Sequence, residues 1–462
     1  MVKNTNKIIL LILIVGIFLN IFLSYKNLKT FDEYRVTAEG NLQHYMIRSD
    51  IYHGWINADK FKNDLEKKNF FSSLPIYDRS FLPNIFIGIY YDLIDEDIFD
   101  KIEINEDQKK IKKNNGKLGF LIIQIILFYF SVYYLSKKLK NKFSHKNIIF
   151  IVGFLSLEPS ILQWHSSFWS ESIYLSFLII LLGKLINLKD NILRNIFIGI
   201  FIGVMYAQRS ASFLLILPVL VYYIIFFKKN IKPYIFLIFG YIIVLFGIGV
   251  NHYYKTDKFF ILPYYSHLYS NYHYMLHEMK AKSNKISYQK ALKEKIEKED
   301  NWKNLNNIDI NNFKDIFLII NYRNKEFLHE VIKNPFNSSL YLLNKISQAA
   351  ILDPFWVKKN LFLDKSIKNY HIEFKKDIAL RILYSLIFYS ISLVGFLSIV
   401  KNFLSKKNKT KYDNFMILNF LIIAYFFVWT GGYGVSRYFV PTIVNFSFFL
   451  ALGISYLFLK KE

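Results

Sequence analysis

Ten stretches of the chain run for about 16–22 residues with few charges: 8–24, 117–136, 148–163, 171–187, 192–208, 211–227, 233–250, 379–400, 414–430 and 438–459. Each is apolar on every face rather than alternating, which excludes the period-two strands of a barrel. Each approaches the length a helix needs to cross about 30 Å of hydrocarbon. Backbone groups in lipid must bond within their own segment, so helices are the expected elements. The predicted fold is therefore an all-α integral membrane protein with about ten transmembrane helices.

Two long polar connections interrupt this pattern, about 26–116 and 251–378. They divide the chain into an N-terminal transmembrane module, 1–250, which includes the first loop 26–116; a large loop region, 251–378; and C-terminal transmembrane helices, 379–462. Both connections hold amphipathic pieces expected to lie at the bilayer surface. The segment 81–94 is apolar but short, and is expected to lie in the interface or to re-enter. No internal repeat of the transporter kind is present. The first apolar run follows Lys3 and Lys7, and Ser24-Tyr25-Lys26-Asn27 makes a poor cleavage site, so that run is expected to be a retained span.

Charge orients the predicted helices. With a cytoplasmic N-terminus, the cytoplasmic connections hold Lys137, Lys138, Lys140, Lys142 and Lys146, then Lys189 and Arg194, then Lys228, Lys229 and Lys232. Lys401, Lys406, Lys407, Lys409 and Lys411 follow, and Lys460 and Lys461 close the chain. The short connections on the other side carry only Arg209 and Arg437. Every short loop agrees with the positive-inside rule. Both termini are thus expected in the cytoplasm and both long connections outside, in a bacterial plasma membrane.

The formal charge of +24 lies largely in those loops, and no nucleic-acid-binding module accompanies it, so no nucleic-acid partner is expected. There is no cysteine, which removes disulfides, thiolate metal sites and cysteine nucleophiles. No metal spacing, phosphate-binding loop, dinucleotide glycine pattern or nucleophile elbow is found, and no cofactor is expected. A divalent cation has no support in the spacing.

Ionisable residues close to spans are costly unless paired or hydrated, so they are candidates for function. On the predicted topology they gather at the outer membrane surface. Asp50, with Tyr52, lies in the first outer loop, where an acid is a candidate general base or an ordinary solvated residue. Arg79 precedes the short apolar segment and is a candidate for gripping a lipid phosphate, or for an ordinary headgroup-level arginine. Glu158, His165 and Glu171 sit among aromatics in one connection; the helix dipole would also favour Glu171 at a helix start. Arg209 stands alone in the tight Gln208-Arg209-Ser210 connection. Arg437 and Tyr438 follow a glycine-rich connection at the start of the last span. An arginine there opposes the charge rule, which points to a specific anion or to an internal ion pair with Glu158 or Glu171.

The chain resembles the GT-C superfamily of membrane glycosyltransferases, which includes protein mannosyltransferases and aminoarabinose transferases. The resemblance is carried by Asp50-x-Tyr52 with Ala58, Pro75-x-Tyr77-x-Arg79-x-x-x-Pro83, Ser170-Glu171-Ser172-Ile173-Tyr174, Gln208-Arg209-Ser210, Asn334-Pro335-Phe336 and Ser436-Arg437-Tyr438-x-x-Pro441. It implies transfer of a sugar from a polyprenyl-phosphate donor to a glycan, lipid or protein acceptor on the extracytoplasmic face. It assigns the base to Asp50 and the donor phosphate to Arg79, Arg209 and Arg437. Tyr52, Glu158, His165, Glu171 and Tyr438 are then candidates for substrate binding. Ile51 stands where many relatives carry a second acid, a departure that bears on any metal-assisted mechanism. The alternatives are a flippase for a lipid-linked oligosaccharide, which would bind in the same cleft without chemistry, and a polysaccharide polymerase or ligase.

Overall fold

The fold is that of a computed structural model, which describes residues 2–30, 34–36, 42–44, 49–67, 70–74, 81–98, 101–105, 108–112, 116–165, 170–228, 230–262, 271–309, 313–352, 378–404, 411–430 and 436–458. All ten apolar stretches are helical. The first is α1 (Val2–Thr30). The first long connection holds α2 (Ser49–Lys67), α3 (Phe70–Ser73) and α4 (Phe81–Leu93). It also holds two short antiparallel hairpins, β1–β2 (Tyr34–Val36 with Leu42–His44) and β3–β4 (Lys101–Asn105 with Gln108–Lys112), which the apolar pattern does not announce.

The bundle continues with α5 (Gly116–Leu139), α6 (His145–Leu157), α7 (Pro159–His165), α8 (Glu171–Leu185), α9 (Ile192–Gln208), α10 (Ile216–Phe227) and α11 (Lys232–Thr256). Among its described residues the second long connection holds a short π-helix (Asn271–Leu276) and four α-helices: α12 (His277–Ser283), α13 (Tyr288–Leu305), α14 (Phe313–Lys333) and α15 (Pro335–Ala349). Three long helices close the chain: α16 (Ile378–Leu404), α17 (Lys411–Thr430) and α18 (Ser436–Phe458).

Among the described residues, six segments are long and apolar enough to cross a membrane: Thr5–Lys26, Gly116–Leu139, Ser210–Phe227, Lys232–Thr256, Ile378–Asn402 and Phe439–Phe458. A seventh is broken. The predicted span 148–163 bends by 50° between α6 and α7. Pro159 lacks the N–H that would continue the ladder, and Glu158 before it takes the extended backbone that residues before proline prefer. Two apolar helices, Ile192–Gln208 and Asp413–Val428, are shorter. The 15-residue α8 is shorter still, about 22 Å, and nearly all of it is buried. Enclosed by other helices, it has no lipid-exposed length to match.

The outside of the bundle is apolar. Phe18, Phe130, Phe197 and Phe246 are each more than 60% exposed, a surface that water would not tolerate and lipid does. This is a membrane protein. Inside, polar side chains tie helices together. The Asn20 amide donates to Tyr129 Oη at 2.6 Å, and Tyr129 Oη donates to the Ser156 carbonyl at 2.8 Å, linking α1, α5 and α6. Tyr223 Oη donates to Asn195 Oδ1 at 3.1 Å. Such bonds hold helices where burial of apolar surface gives no net attraction.

Two helix pairs approach so closely that only glycine fits. A Cβ on Gly199 would strike the Leu237 carbonyl, and one on Gly240 the Ile196 carbonyl, across α9 and α11. Gly395 and Gly453 face the carbonyls of Phe449 and Ile391 in the same reciprocal way across α16 and α18. Gly395→Leu is therefore expected to separate α16 from α18 and destabilise the bundle by about 1–3 kcal/mol or more. Thermal unfolding of the purified variant in detergent checks this; an unchanged midpoint would mean the backbones can part at no cost.

The helices of the second long connection have their own small core, built on Tyr272, Met275, Leu276, Met279, Phe327 and Tyr341. Beside it Glu299 takes two bonds from Arg323 and one from Lys303 at 2.8 Å. Burial alone would raise the Glu299 pKa, but the bonds and charges of Arg323 and Lys303 outweigh it and hold the carboxyl at about 2. The folded value lies below the ordinary 4.5. The network's stability is thus fully present above pH 4.5 and drains as pH falls toward 2. Glu299→Gln should flatten the loss of amide protection in α13 and α14 across that window. Superimposable acid profiles for the two proteins would show that the network does not hold these helices.

Candidate functional site

The connection before α8 and the one after α9 come together at one end of the bundle. The α6–α7 bend supplies Glu158, which is buried. Its Oε1 accepts from the Ser160 N–H at 3.3 Å and its Oε2 accepts from Tyr384 Oη, on α16, at 2.6 Å. One carboxylate thus joins the bend in the N-terminal module to a helix 226 residues further along the chain.

His165 ends α7 and is fully buried. Its Nδ1 lies 2.8 Å from Ser172 Oγ, and its ring lies on Phe128 with centroids 3.9 Å apart. The Nε2 atom has no hydrogen-bond partner among the described residues. The bond to Ser172 ties α7 to the first turn of α8, directly beside Glu171.

Glu171 opens α8, where the helix dipole favours a carboxylate. Its Oε1 lies 3.4 Å from Arg209 Nη2, and both side chains are at most 5% exposed. Arg209 follows the last residue of α9 in extended conformation and lies over the Tyr174 ring at 5.5 Å. Gln208 before it donates to the Ser170 carbonyl at 3.1 Å. The tight connection is held from its other side by α17, since Tyr425 Oη donates to the Ala211 carbonyl and accepts from the Leu214 N–H. Arg209 is therefore fixed by a carboxylate, an aromatic face and two anchored chain segments.

The first long connection docks on the same region. Ala58 of α2 shares a core with Ile87 and Tyr91 of α4, Phe120 and Leu121 of α5, and Ile173 of α8. Leu82, at the start of α4, packs against Tyr206 and Ala207, just before Arg209. Asp50 and Tyr52 lie in the first turns of α2, and Arg437 and Tyr438 open α18. Arg79 lies outside the described residues.

Of the sequence candidates, Glu158, His165, Glu171 and Arg209 are thus all buried; Glu171 and Arg209 pair directly, His165 bonds Ser172 next to Glu171, and Glu158 bonds Tyr384. Sequence reasoning missed Tyr384, Tyr425 and Ser172. A tyrosine within an apolar run needs a partner for its hydroxyl, and that was the available signal for the first two. Among the described residues no three His, Asp or Glu side chains converge to hold a metal ion.

No family model matches the chain, and no curated protein matches it. Solved structures of the oligosaccharyltransferase of Archaeoglobus fulgidus do. The chain is similar to the complex with Zn and sulfate at a TM-score of 0.47 and 10% identity, over 97% of this chain and 49% of that one. For the same enzyme, AglB, in complex with an inhibitory peptide and a dolichol-phosphate, the TM-score is 0.45 and the identity 11%, over 97% and 50%. For the apo form the values are 0.46 and 10%, over 97% and 50%. The chain spans about half the length of these structures.

Proposed function

We propose that this chain is a multi-pass glycosyltransferase of the GT-C type, moving a sugar from a polyprenyl-phosphate donor to a glycan, lipid or protein acceptor. One observation carries the reading. Glu171 and Arg209, from two different connections and both in segments that carry the sequence resemblance, pair at one end of the bundle, with His165 bonded to Ser172 beside them and Glu158 buried in the bend before α7. The α2–α4 unit, which bears Asp50 in its first helix, docks beside them.

In this reading all ten apolar helices cross or enter the bilayer, both termini are cytoplasmic, and the site faces outward from a plasma membrane. The Asp50 carboxylate takes the proton of an acceptor hydroxyl. A new C–O bond forms at the sugar's anomeric carbon as the bond from that carbon to the phosphate oxygen breaks. The lipid phosphate leaves with the electron pair. It is a stable anion, so it calls for positive charge more than for a proton donor. Arg79 and Arg437 supply that charge, and Arg209, already balanced by Glu171, shapes the wall they act from. The long prenyl tail stays in lipid throughout. The small helical unit of 271–352 is the acceptor-side region, and 1–250 with 379–462 forms the donor-side bundle.

The test is the purified protein in lipid nanodiscs with a panel of radiolabelled polyprenyl-phosphate sugars and mixed acceptors. Transfer of label with release of lipid phosphate is expected for at least one donor. Movement of an intact donor across proteoliposomes, with no bond cleaved, would replace this reading by the flippase alternative.

A further inference from the structure

The second long connection carries an apolar stripe that nothing among the described residues covers. Leu328 and Ile332 on α14, then Phe336, Leu340 and Leu343 on α15, are between 50 and 78% exposed. They follow one another in steps of four, four, four and three, so the stripe runs along one side of each helix and carries on across the break at Asn334. The exposed charges beside it are basic, Lys325 and Lys333. The acids of the same stretch are turned away or engaged. Glu330 is buried and accepts from Asn334, and Glu326 is held by Lys298 at 2.6 Å. The opposite side of α15 faces the small core, where Tyr341 donates to Glu278 at 2.6 Å and Lys345 pairs with the same carboxylate at 2.9 Å.

Depth decides what covers the stripe. The end of α15 is pinned to the membrane helix α16 at two points. Tyr389 Oη donates to the Ala350 carbonyl at 2.8 Å, and the Leu352 N–H donates to Ser385 Oγ at 2.9 Å. Ser385 and Tyr389 lie seven and eleven residues inside the start of α16, about 10 and 16 Å along it. The outward residues at that level of α16 are Leu383, Leu386 and Ile387, all exposed and apolar. The C-terminal end of α15 therefore reaches the level at which the neighbouring span meets acyl chains. A second copy of the chain is a poor cover, because a two-fold contact across this stripe brings its lysines toward their own copies.

We propose that the α14–α15 elbow is a membrane-docking surface. Leu328, Ile332, Phe336, Leu340 and Leu343 sink into the acyl region of the leaflet on their side of the bilayer, and Lys325 and Lys333 meet the phosphates of anionic phospholipid headgroups. The elbow anchors the small helical unit to the bilayer next to α18, against which α15 also packs. The inference rests on the placement of these helices and not on any reaction the protein performs.

The chain has no cysteine, so single-cysteine variants label at one position. Phe336→Cys, Leu340→Cys and Leu343→Cys carry an environment-sensitive fluorophore in nanodiscs, with Leu386→Cys as the lipid-facing reference and Glu297→Cys, exposed on α13, as the aqueous one. Brominated-chain lipid is expected to lower the signal at 336, 340 and 343 about twofold, as at 386, while iodide acts only at 297. Quenching of 340 and 343 by iodide overturns the proposal. So does shielding from both quenchers with cross-linking to a second chain. At 336, bromine carried on phosphatidylglycerol should quench more than on phosphatidylcholine, and K325E/K333E should remove the difference. Equal quenching by the two lipids in the unaltered lysine background overturns the headgroup assignment.

Discussion

Asp50→Asn is expected to abolish sugar transfer while leaving insertion and thermal stability unchanged. Removing a general base typically costs about 10²–10⁴ in rate. Asparagine keeps the size and hydrogen-bonding shape of the side chain but cannot take the acceptor's proton. Donor binding should persist, because the proposed mechanism holds the lipid phosphate with cations elsewhere, so the loss should appear in turnover rather than in apparent donor affinity. The measurement is steady-state transfer with the donor identified in the panel, alongside the unfolding midpoint of the same preparation. Turnover like that of the unaltered protein would end the proposed mechanism. A variant that fails to unfold cooperatively would instead report a structural role for the residue.

Glu171→Gln is expected to produce the largest loss of stability of any single change in the cluster. The Glu171–Arg209 pair is buried at 3.4 Å, and desolvating two charges offsets much of their attraction. Removing only the carboxylate is different. Arg209 then keeps a buried positive charge without this counterion, at a cost of about 3–5 kcal/mol. The double variant Glu171→Gln/Arg209→Met removes both charges and should recover much of that loss. Thermal unfolding of the unaltered, single and double forms completes the cycle. If the single variant melts with the unaltered protein, the pair carries no structural weight, and Arg209 returns to the set of cations available for a phosphate.

The contrast between Arg209 and Arg437 illustrates where sequence reading stops. Both are basic residues in short connections between apolar runs that hold no other Lys or Arg. Nothing local separates them. For Arg209 the partner comes from α9 and α8 packing side by side, which brings the end of one and the start of the other within ion-pair distance. Glu158 is similar. Its neighbour Pro159 announces a break, but Tyr384, its hydrogen-bond partner, lies in an apolar run with no visible relation to it. The two short hairpins of the first long connection also escaped, because strands of three and five residues are too short for alternation to stand out from the polar loop around them.

Membrane partition is a one-dimensional problem. Each helix is selected by its own length and apolarity, since every backbone group must be satisfied within the segment, and those quantities are written along the chain. The sequence by itself therefore determined that this is a helical membrane protein, where its apolar helices lie, and that uncommon polar residues such as Glu171 and Arg209 stand at helix ends. Association of those helices is three-dimensional. It depends on close contacts such as Gly199 with α11 and on long-range bonds such as Tyr129 to Ser156. Only the tertiary structure decided that α8 is enclosed, that Glu171 belongs to Arg209, and that α15 reaches the depth of α16, because each rests on a contact between residues far apart in the chain.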